Sequence, residues 1–453
     1  MDCVEDAGAG ARGEGEGENP SVSVLVVGFA FMAKKMESMA EVMSTSEGPV
    51  DGVEFEFLPL DFSQRPDEHQ HVDVILHKLS EDIMYRDVRP EGGARISWIE
   101  AYLAGHPRTV VVDPIDRVAN CINRVTTLEL LKEAYRLHGS EGGMPRPPRF
   151  TVLHKKDGQD RQDRQDESLV DPGTGIFPGS GLAFPVICKP VEACGTRGSH
   201  AMVVVLDEAG MVALKPPVVV QECRNHGAKL FKVCVVGDEV RVHERPSLPD
   251  LPPGLTGSFA FDSQKPYPTL AQVKAASAGM TSSHAPDLGP PRPPPPQTRS
   301  ASRTAGTVDP SSPNNRTGPC RAQAATPAAA NGTPPMTVTG GGQAIPFTVP
   351  PLPVNGGTQE EVPPTVPPPP VVTLGAARRA AARMKETFGL SMFGFDLIVD
   401  GVTGEALVID VNYFPSFKDL GDFPQLLRRW LKEVVSSARS RTIADKHRQS
   451  SDS

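Results

Sequence analysis

Residues 265–373 are dominated by Pro, Ala, Thr and Gly, with runs such as PPRPPPPQ and VPPPPVV. So few large apolar side chains cannot offset the entropy of ordering the chain, and each proline withholds a backbone donor. A disordered or polyproline insertion is therefore expected. Whatever fold forms must draw its core from the two flanking segments. The 47 prolines and 42 glycines among 453 residues crowd into a few such stretches, so the folded part is smaller than the length suggests.

The flanking sequence is regular. Residues 22–28 read as an apolar strand, followed by a helix with Met36, Met39, Ala40 and Met43 at helical spacing. Val53, Phe55 and Phe57 alternate with Glu54 and Glu56, 72–76 is a second strand, and 109–112 a third. Between the last two, Ile96, Ile99 and Leu103 share a helical face closed by Gly105 and Pro107. Such alternation implies a parallel α/β domain.

Helical segments are expected over 116–124 and 127–137. Strands are expected over 184–188, 201–206, 218–222, 230–236 and 239–244, the last two joined by a Gly237-Asp238 hairpin turn. A charged QDRQDRQD run near 155–167 reads as a solvated loop. After the insertion come a helix over 376–388 ended by Gly389, a hairpin pairing 393–399 with 405–412, and an amphipathic helix carrying Leu426, Leu427, Trp430, Leu431 and Val434.

A formal net charge of -9 argues against wholesale binding to nucleic acid or an anionic membrane, so a polyanionic ligand would need a local cluster of cations. Seven cysteines, with no close C-x-x-C pair, suggest reduced thiols rather than a disulfide framework or structural zinc. The acidic, Gly-rich first twenty residues lack a signal-peptide pattern, and no apolar run approaches the roughly 20 residues that span a bilayer. A soluble cytosolic protein is expected, with the nucleus left open and no stable membrane insertion.

The chemistry concentrates in F-G-F-D (393–396) and V-I-D-V-N (408–412). Asp410 and Asn412 leave the same strand face, and the hairpin can bring Asp396 beside them. Two carboxylates and an amide oxygen suit one or two magnesium ions, which would hold nucleotide phosphates; solvated strand ends are the plain alternative. Lys189 ends an apolar strand before the small-residue loop A-C-G-T-R-G-S-H (193–200), where an ammonium and backbone N–H groups can neutralise phosphates, although the loop lacks the G-x-x-x-x-G-K-[ST] pattern. V-V-V-Q-E-C (218–223) can offer backbone groups to an adenine ring. Lys232, inside an apolar strand, needs an anionic partner, either a ligand or Glu222.

These stretches together resemble the inositol-tetrakisphosphate 1-kinase family, also called inositol 1,3,4-trisphosphate 5/6-kinases. Matching runs, in family order, are V-G-F-A-F-M-A-K-K (27–35), V-I-L-H-K-L (74–79), D-P-I-D (113–116) and F-P-V-I-C-K-P (184–190). They continue with N-H-G-A-K-L-F-K-V-C-V-V-G (225–237), R-P-S-L (245–248), F-G-F-D and V-I-D-V-N-Y-F-P.

The resemblance implies an α/β ATP-grasp fold with an N-terminal Rossmann-like domain, and phosphoryl transfer from ATP to a hydroxyl of an inositol tris- or tetrakisphosphate. Carried over by position, Arg124, Lys189, Gln221, Glu222, Cys223, Lys232, Ser247 and Ser263 would bind ATP. Asp396, Asp410 and Asn412 would bind two magnesium ions, and Lys35, His200, Lys232 and Asn412 the inositol phosphate, with His200 and Lys232 nearest the chemistry.

The implied organisation is an acidic tail (1–20), the substrate-side α/β domain (21–115), the central ATP-grasp region (116–264, with 155–180 flexible), the insertion (265–373), the C-terminal ATP-grasp region with the metal hairpin (374–436) and a flexible tail (437–453). Ser416 stands where the family usually has glycine. A monomer is expected. Two other readings stay open: an ATP-grasp carboxylate-amine ligase, and an inositol-phosphate-binding scaffold whose Pro-rich insert recruits SH3- or WW-type domains.

Overall fold

The computed structural model describes residues 23–44, 48–154, 177, 179–279 and 372–451; for Lys34, Arg197 and 442–451 it describes the backbone alone. The expected acidic tail, most of the 155–180 loop and most of the Pro-rich insertion, with any SH3 or WW recruitment, lie outside the described residues. All described residues belong to one contact unit, Met1–Pro291 with Pro368–Ser453.

The N-terminal domain is a four-stranded parallel sheet built from β1 (Ser23–Phe31), β2 (Val53–Pro59), β3 (Val74–Lys78) and β4 (Val110–Val112), in the order β2-β1-β3-β4. Helices α1 (Ala33–Met43), α2 (Ser80–Met84), α3 (Pro90–Gly105) and α4 (Ile115–Ala119) follow or connect the strands. Val27, Val74, Ile75 and Leu76 are wholly buried, as expected of strands covered on both faces. The second strand pair begins later than its apolar run suggests: Val72 lies ahead of β3, its N–H taken by Tyr102 Oη at 2.9 Å.

Helix α5 (Arg124–His138) starts three residues before the expected 127 because Asn123 caps it, accepting from the N–H groups of Val125 and Thr126. Strands β5 (Phe150–Leu153), β6 (Val186–Pro190), β7 (Ala201–Val205) and β8 (Val218–Glu222), with β11 (Ser258–Asp262), form an antiparallel sheet ordered β11-β7-β6-β8-β5. The other antiparallel sheet joins β9 (Lys229–Val236) and β10 (Glu239–Pro246) to β12 (Met392–Val399) and β13 (Ala406–Tyr413), ordered β10-β9-β12-β13. Gly237, at φ 60°, makes the expected two-residue turn between β9 and β10.

Two boundaries of the expected domain organisation differ as well. Helix α6 (Leu270–Ser277) stands inside the stretch assigned to the insertion, because Thr269 and Gln272 form a capping box and Val273 packs into a small core with Phe259 and Phe261. Helix α7 (Leu374–Phe388) opens the resumed fold, and α8 (Phe423–Ser451) then continues past residue 436 through the tail expected to be flexible. Within that tail, Arg439 reaches Asp73 at 2.5 Å. Among the described residues no helix is long and apolar enough to cross a membrane.

Candidate active site

A cleft of about 680 Å³ is lined from all three sheets. At its centre β12 and β13 put Asp396 opposite Asp410. The pairing is set by a bulge: Leu397 faces Val408, so Ile409 is an extra residue on β13. The Ile409 carbonyl accepts from Lys189 Nζ at 2.8 Å. Asn412 Nδ2 donates to Asp410 Oδ2 at 2.9 Å, leaving the amide oxygen as a ligand group. Asp396 Oδ1 is buried and has no hydrogen-bond partner. Burial and, after it, the facing Asp410 push the Asp396 carboxyl above the usual range, against the pull of Lys232 and Lys189. A hard divalent cation fits this set, since it would supply the partner that the orphaned oxygen lacks and relieve the carboxylate repulsion.

Lys189 ends β6 and is 6% exposed. Burial brings its ammonium down to about 8, with Asp410 favouring the charged form. The turn Arg197–His200 follows the glycine loop, its entry fixed by Thr196 and Ser199 hydroxyls 2.7 Å apart. His200 lines the cleft with its Nδ1 3.4 Å from Ser263 Oγ and its Nε2 2.9 Å from Gln264 Nε2.

Arg124, expected at the nucleotide, stands behind the glycine loop. It is not among the cleft-lining residues; its guanidinium donates to the carbonyls of Pro190 (2.8 Å), Glu192 (2.7 Å) and Ser199 (3.0 Å). Arg124 thus holds both ends of the glycine loop from behind, because three diverging carbonyls match the fixed fork of a guanidinium.

Gln221, Glu222 and Cys223 line the cleft at the end of β8. The Glu222 carboxylate is committed elsewhere: it accepts from Arg146 Nη1 (2.5 Å), Arg149 N–H (2.7 Å) and Arg224 Nε (3.0 Å), while Arg146 Nε also reaches Glu405 at 2.8 Å. The Glu222 N–H donates to Arg149 O at 2.9 Å. The Lys232–Glu222 ion pair therefore does not form, and β9 instead sets Lys232 opposite Asp396. Burial pushes the Cys223 thiol up to about 12, so it stays protonated. Ser247 lines the wall with its Oγ 2.8 Å from His226 Nε2.

The N-terminal domain supplies Lys35 from α1, and Lys78 from the end of β3, which the sequence reading did not single out. The signal was present: Lys78 ends an apolar strand, as Lys189 does. Burial, then the neighbouring Lys78, lowers Lys35 to about 7; burial lowers Lys78 itself to about 8. His77 beside it is buried neutral, its pKa brought to about 4 by burial. This domain is tied to the β12–β13 hairpin by Tyr413 Oη, which donates to His77 O at 2.7 Å. Asp113 adds to the tie by accepting from the N–H groups of Ser391 (2.8 Å) and Met392 (2.9 Å).

The sequence model described as the inositol 1,3,4-trisphosphate 5/6-kinase ATP-grasp domain matches residues 173–275 and 361–433, and that of the same kinase's pre-ATP-grasp domain matches 26–118. The break inside the ATP-grasp match, 276–360, falls within the insertion inferred from composition, whereas 119–172, between the two matches, includes α5 and β5 as well as part of the charged loop. The inositol-tetrakisphosphate 1-kinase of Danio rerio is 32% identical over 207 residues, 46% of this chain and 48% of that protein. Inositol-tetrakisphosphate 1-kinase 1 of Zea mays is 30% identical over 248 residues, 54% of this chain and 64% of that protein. The chain thus spans about half to two thirds of the length of these curated relatives. A solved D-alanine–D-alanine ligase from Bacillus anthracis aligns over 93% of this chain and 100% of its own at 10% identity, with a TM-score of 0.42. With both parts of the family's domain pair matched in order on either side of the insertion, the chain belongs to the inositol 1,3,4-trisphosphate 5/6-kinase family and has its ATP-grasp fold.

Proposed function

We propose that the protein transfers the γ-phosphate of ATP to a hydroxyl of an inositol tris- or tetrakisphosphate. The observation that carries this reading is the charge layout of one cleft. Metal-type carboxylates, Asp396 and Asp410, line it together with two half-buried lysines, Lys35 and Lys78, which make no ion pair among the described residues. Buried ammonium groups without counter-ions are costly in the free protein and become favourable when a polyanion enters.

Asp396, Asp410 and Asn412 would hold one or two magnesium ions, which supply charge neutralisation at the transferring phosphate when bound. Lys189 and Lys232 lie beside these carboxylates, where they bind and orient the nucleotide phosphates, and the end of β8 offers its remaining backbone groups to the base. Lys35, Lys78 and His200 would grip the phosphates of the acceptor. His200 keeps the acceptor hydroxyl in line rather than needing to strip its proton, since phosphoryl transfer gains most from positioning and charge neutralisation. The cytosol, with the nucleus open, stays the proposed compartment, and the monomer the proposed state.

The test is purified protein with ATP, magnesium and a panel of inositol phosphates, products separated by isomer. Asp410→Ala should reduce turnover at least about a thousandfold, as loss of a charge-stabilising group in a preorganised site does, with an unchanged melting profile. Full turnover in that variant, or no acceptor in the panel, refutes the proposal.

A further inference from the structure

The two N-terminal lysines reach the cleft from different elements, yet the chain leaving β13 receives both in the same way. Lys78 Nζ donates to the Tyr413 carbonyl and stands 5.0 Å from the centroid of the Tyr413 ring. Lys35 Nζ donates to the Pro415 carbonyl at 3.0 Å and stands 3.6 Å from the centroid of the Phe414 ring. Each ammonium thus meets a carbonyl oxygen and a near π-face, with the Phe417 ring a more distant second one for Lys35, its centroid 5.9 Å away. Both offer partial negative charge, enough to orient a cation and too little to neutralise it.

Phe414 is itself held firmly. It is 1% exposed, meets Phe31 edge-on with ring centroids 5.7 Å apart, and donates its N–H to Met392 O at 3.0 Å. Its φ is 39°, a left-handed backbone conformation that a bulky side chain keeps only where its surroundings impose it. Two residues earlier stands Asn412, the proposed metal ligand. One continuous piece of backbone therefore carries metal ligand and lysine seats, and their spacing is fixed by covalent geometry rather than by domain closure.

We infer that Tyr413–Phe414–Pro415 is a cradle for the acceptor-binding cations and that Phe414 is the positioning residue for Lys35. Its ring keeps the ammonium uncompensated, at a set offset from the metal ligands, where an acceptor phosphate docks. The inference rests on the kinase reading above and specifies how that site places its acceptor.

Calorimetric binding of inositol 1,3,4-trisphosphate and steady-state kinetics test it together. Phe414→Leu should raise the KM and Kd for inositol 1,3,4-trisphosphate about tenfold, the scale of a partly desolvated cation–π contact, while the KM for ATP stays at its wild-type value. Phe414→Tyr should restore binding. In a Lys35→Met background, Phe414→Leu should add nothing. Should Phe414→Leu fail to fold, phenylalanine analogues with one, two and three ring fluorines at position 414 keep the shape and progressively drain the π-face, so affinity should fall stepwise. Unchanged affinity across that series, or equal loss in the Lys35→Met background, overturns the cradle while leaving the kinase intact. Absence of inositol phosphate binding by the wild-type protein overturns the kinase reading first.

Discussion

Asp113 offers the sharpest test of how the N-terminal domain is fixed to the β12–β13 hairpin. Its carboxylate is 2% exposed and accepts from two consecutive N–H groups, of Ser391 and Met392, where β12 begins. Those bonds favour the charged form, but burial outweighs them and lifts the carboxyl from 3.8 to about 6. A group whose folded pKa lies above its unfolded value stabilises the fold most when protonated. Its contribution is complete below the unfolded value and is lost as pH rises through the folded one. The interval corresponds to about 3 kcal/mol, of which about half is gone by pH 5. Asp113→Asn cannot titrate, so wild-type stability should fall by roughly 2–3 kcal/mol more than that of the variant between pH 4 and pH 7.5. Urea unfolding of both proteins at several pH values reads this as a difference in slope, in which all other titrating groups cancel. The intercept is separate, since asparagine has one acceptor oxygen for two donors. Parallel pH profiles would refute the argument and show the carboxylate to be solvated.

The other predictions use independent parts of the fold. Arg146→Ala removes the guanidinium joining buried Glu222 to Glu405; because Arg224 and the Arg149 N–H remain, about 3 kcal/mol should be lost by urea unfolding, with a higher KM for ATP. Gly237→Ala would put a Cβ 2.2 Å from Trp430 Cδ1 at a φ of 60°, and should cost about 2–4 kcal/mol, read as a lowered melting temperature. Lys35, brought from 10.5 to about 7 by burial, has a depressed folded pKa, so its cost to folding is absent above the unfolded value, grows as pH falls from there and is complete below about 7. Polyanion binding reverses that cost, so at pH 8 acceptor binding should take up a proton, measured by calorimetry in buffers of different ionisation enthalpy. Lys35→Met should reduce this uptake.

The candidate site was legible in the sequence wherever its chemistry follows local periodicity. Asp396, Asp410 and Asn412 could be grouped because a strand exposes alternate residues and a hairpin brings its two arms together. Lys189 stood out as a charge ending an apolar run. Lys78 has the same local signature, yet its meaning depends on Tyr413, 335 positions along the chain, a distance that no periodicity spans. Arg124 and Glu222 show the converse: their types suited a nucleotide site, but three carbonyls take the first and two arginines the second. Helix α6 was hidden because Pro266 and Pro268 merge it with the insertion, although Thr269 and Gln272 carry a capping signal. The continuation of α8 was hidden because its polar residues give no apolar face to read.

The bulge in β13 explains how one short strand serves two purposes. An unbroken ladder would set Ile409, not Asp410, across from Asp396, and the two carboxylates would not face each other. The extra residue at Ile409 restores that pairing, and its carbonyl turns to Lys189, bringing that ammonium to the same spot. Beyond the bulge, strict alternation resumes: Asp410 and Asn412 are half-buried at the cleft, while Val411 and Tyr413 are 2% exposed in the core. Tyr413 there hydrogen-bonds the ends of β3 and β4, the strands that lead to Lys78 and Asp113. The proposed metal ligands and the domain anchor thus occupy alternate positions of one strand. A change that loosens the anchor must also move the ligands, which is why damage to the Asp113 tie should appear in catalysis as well as in stability.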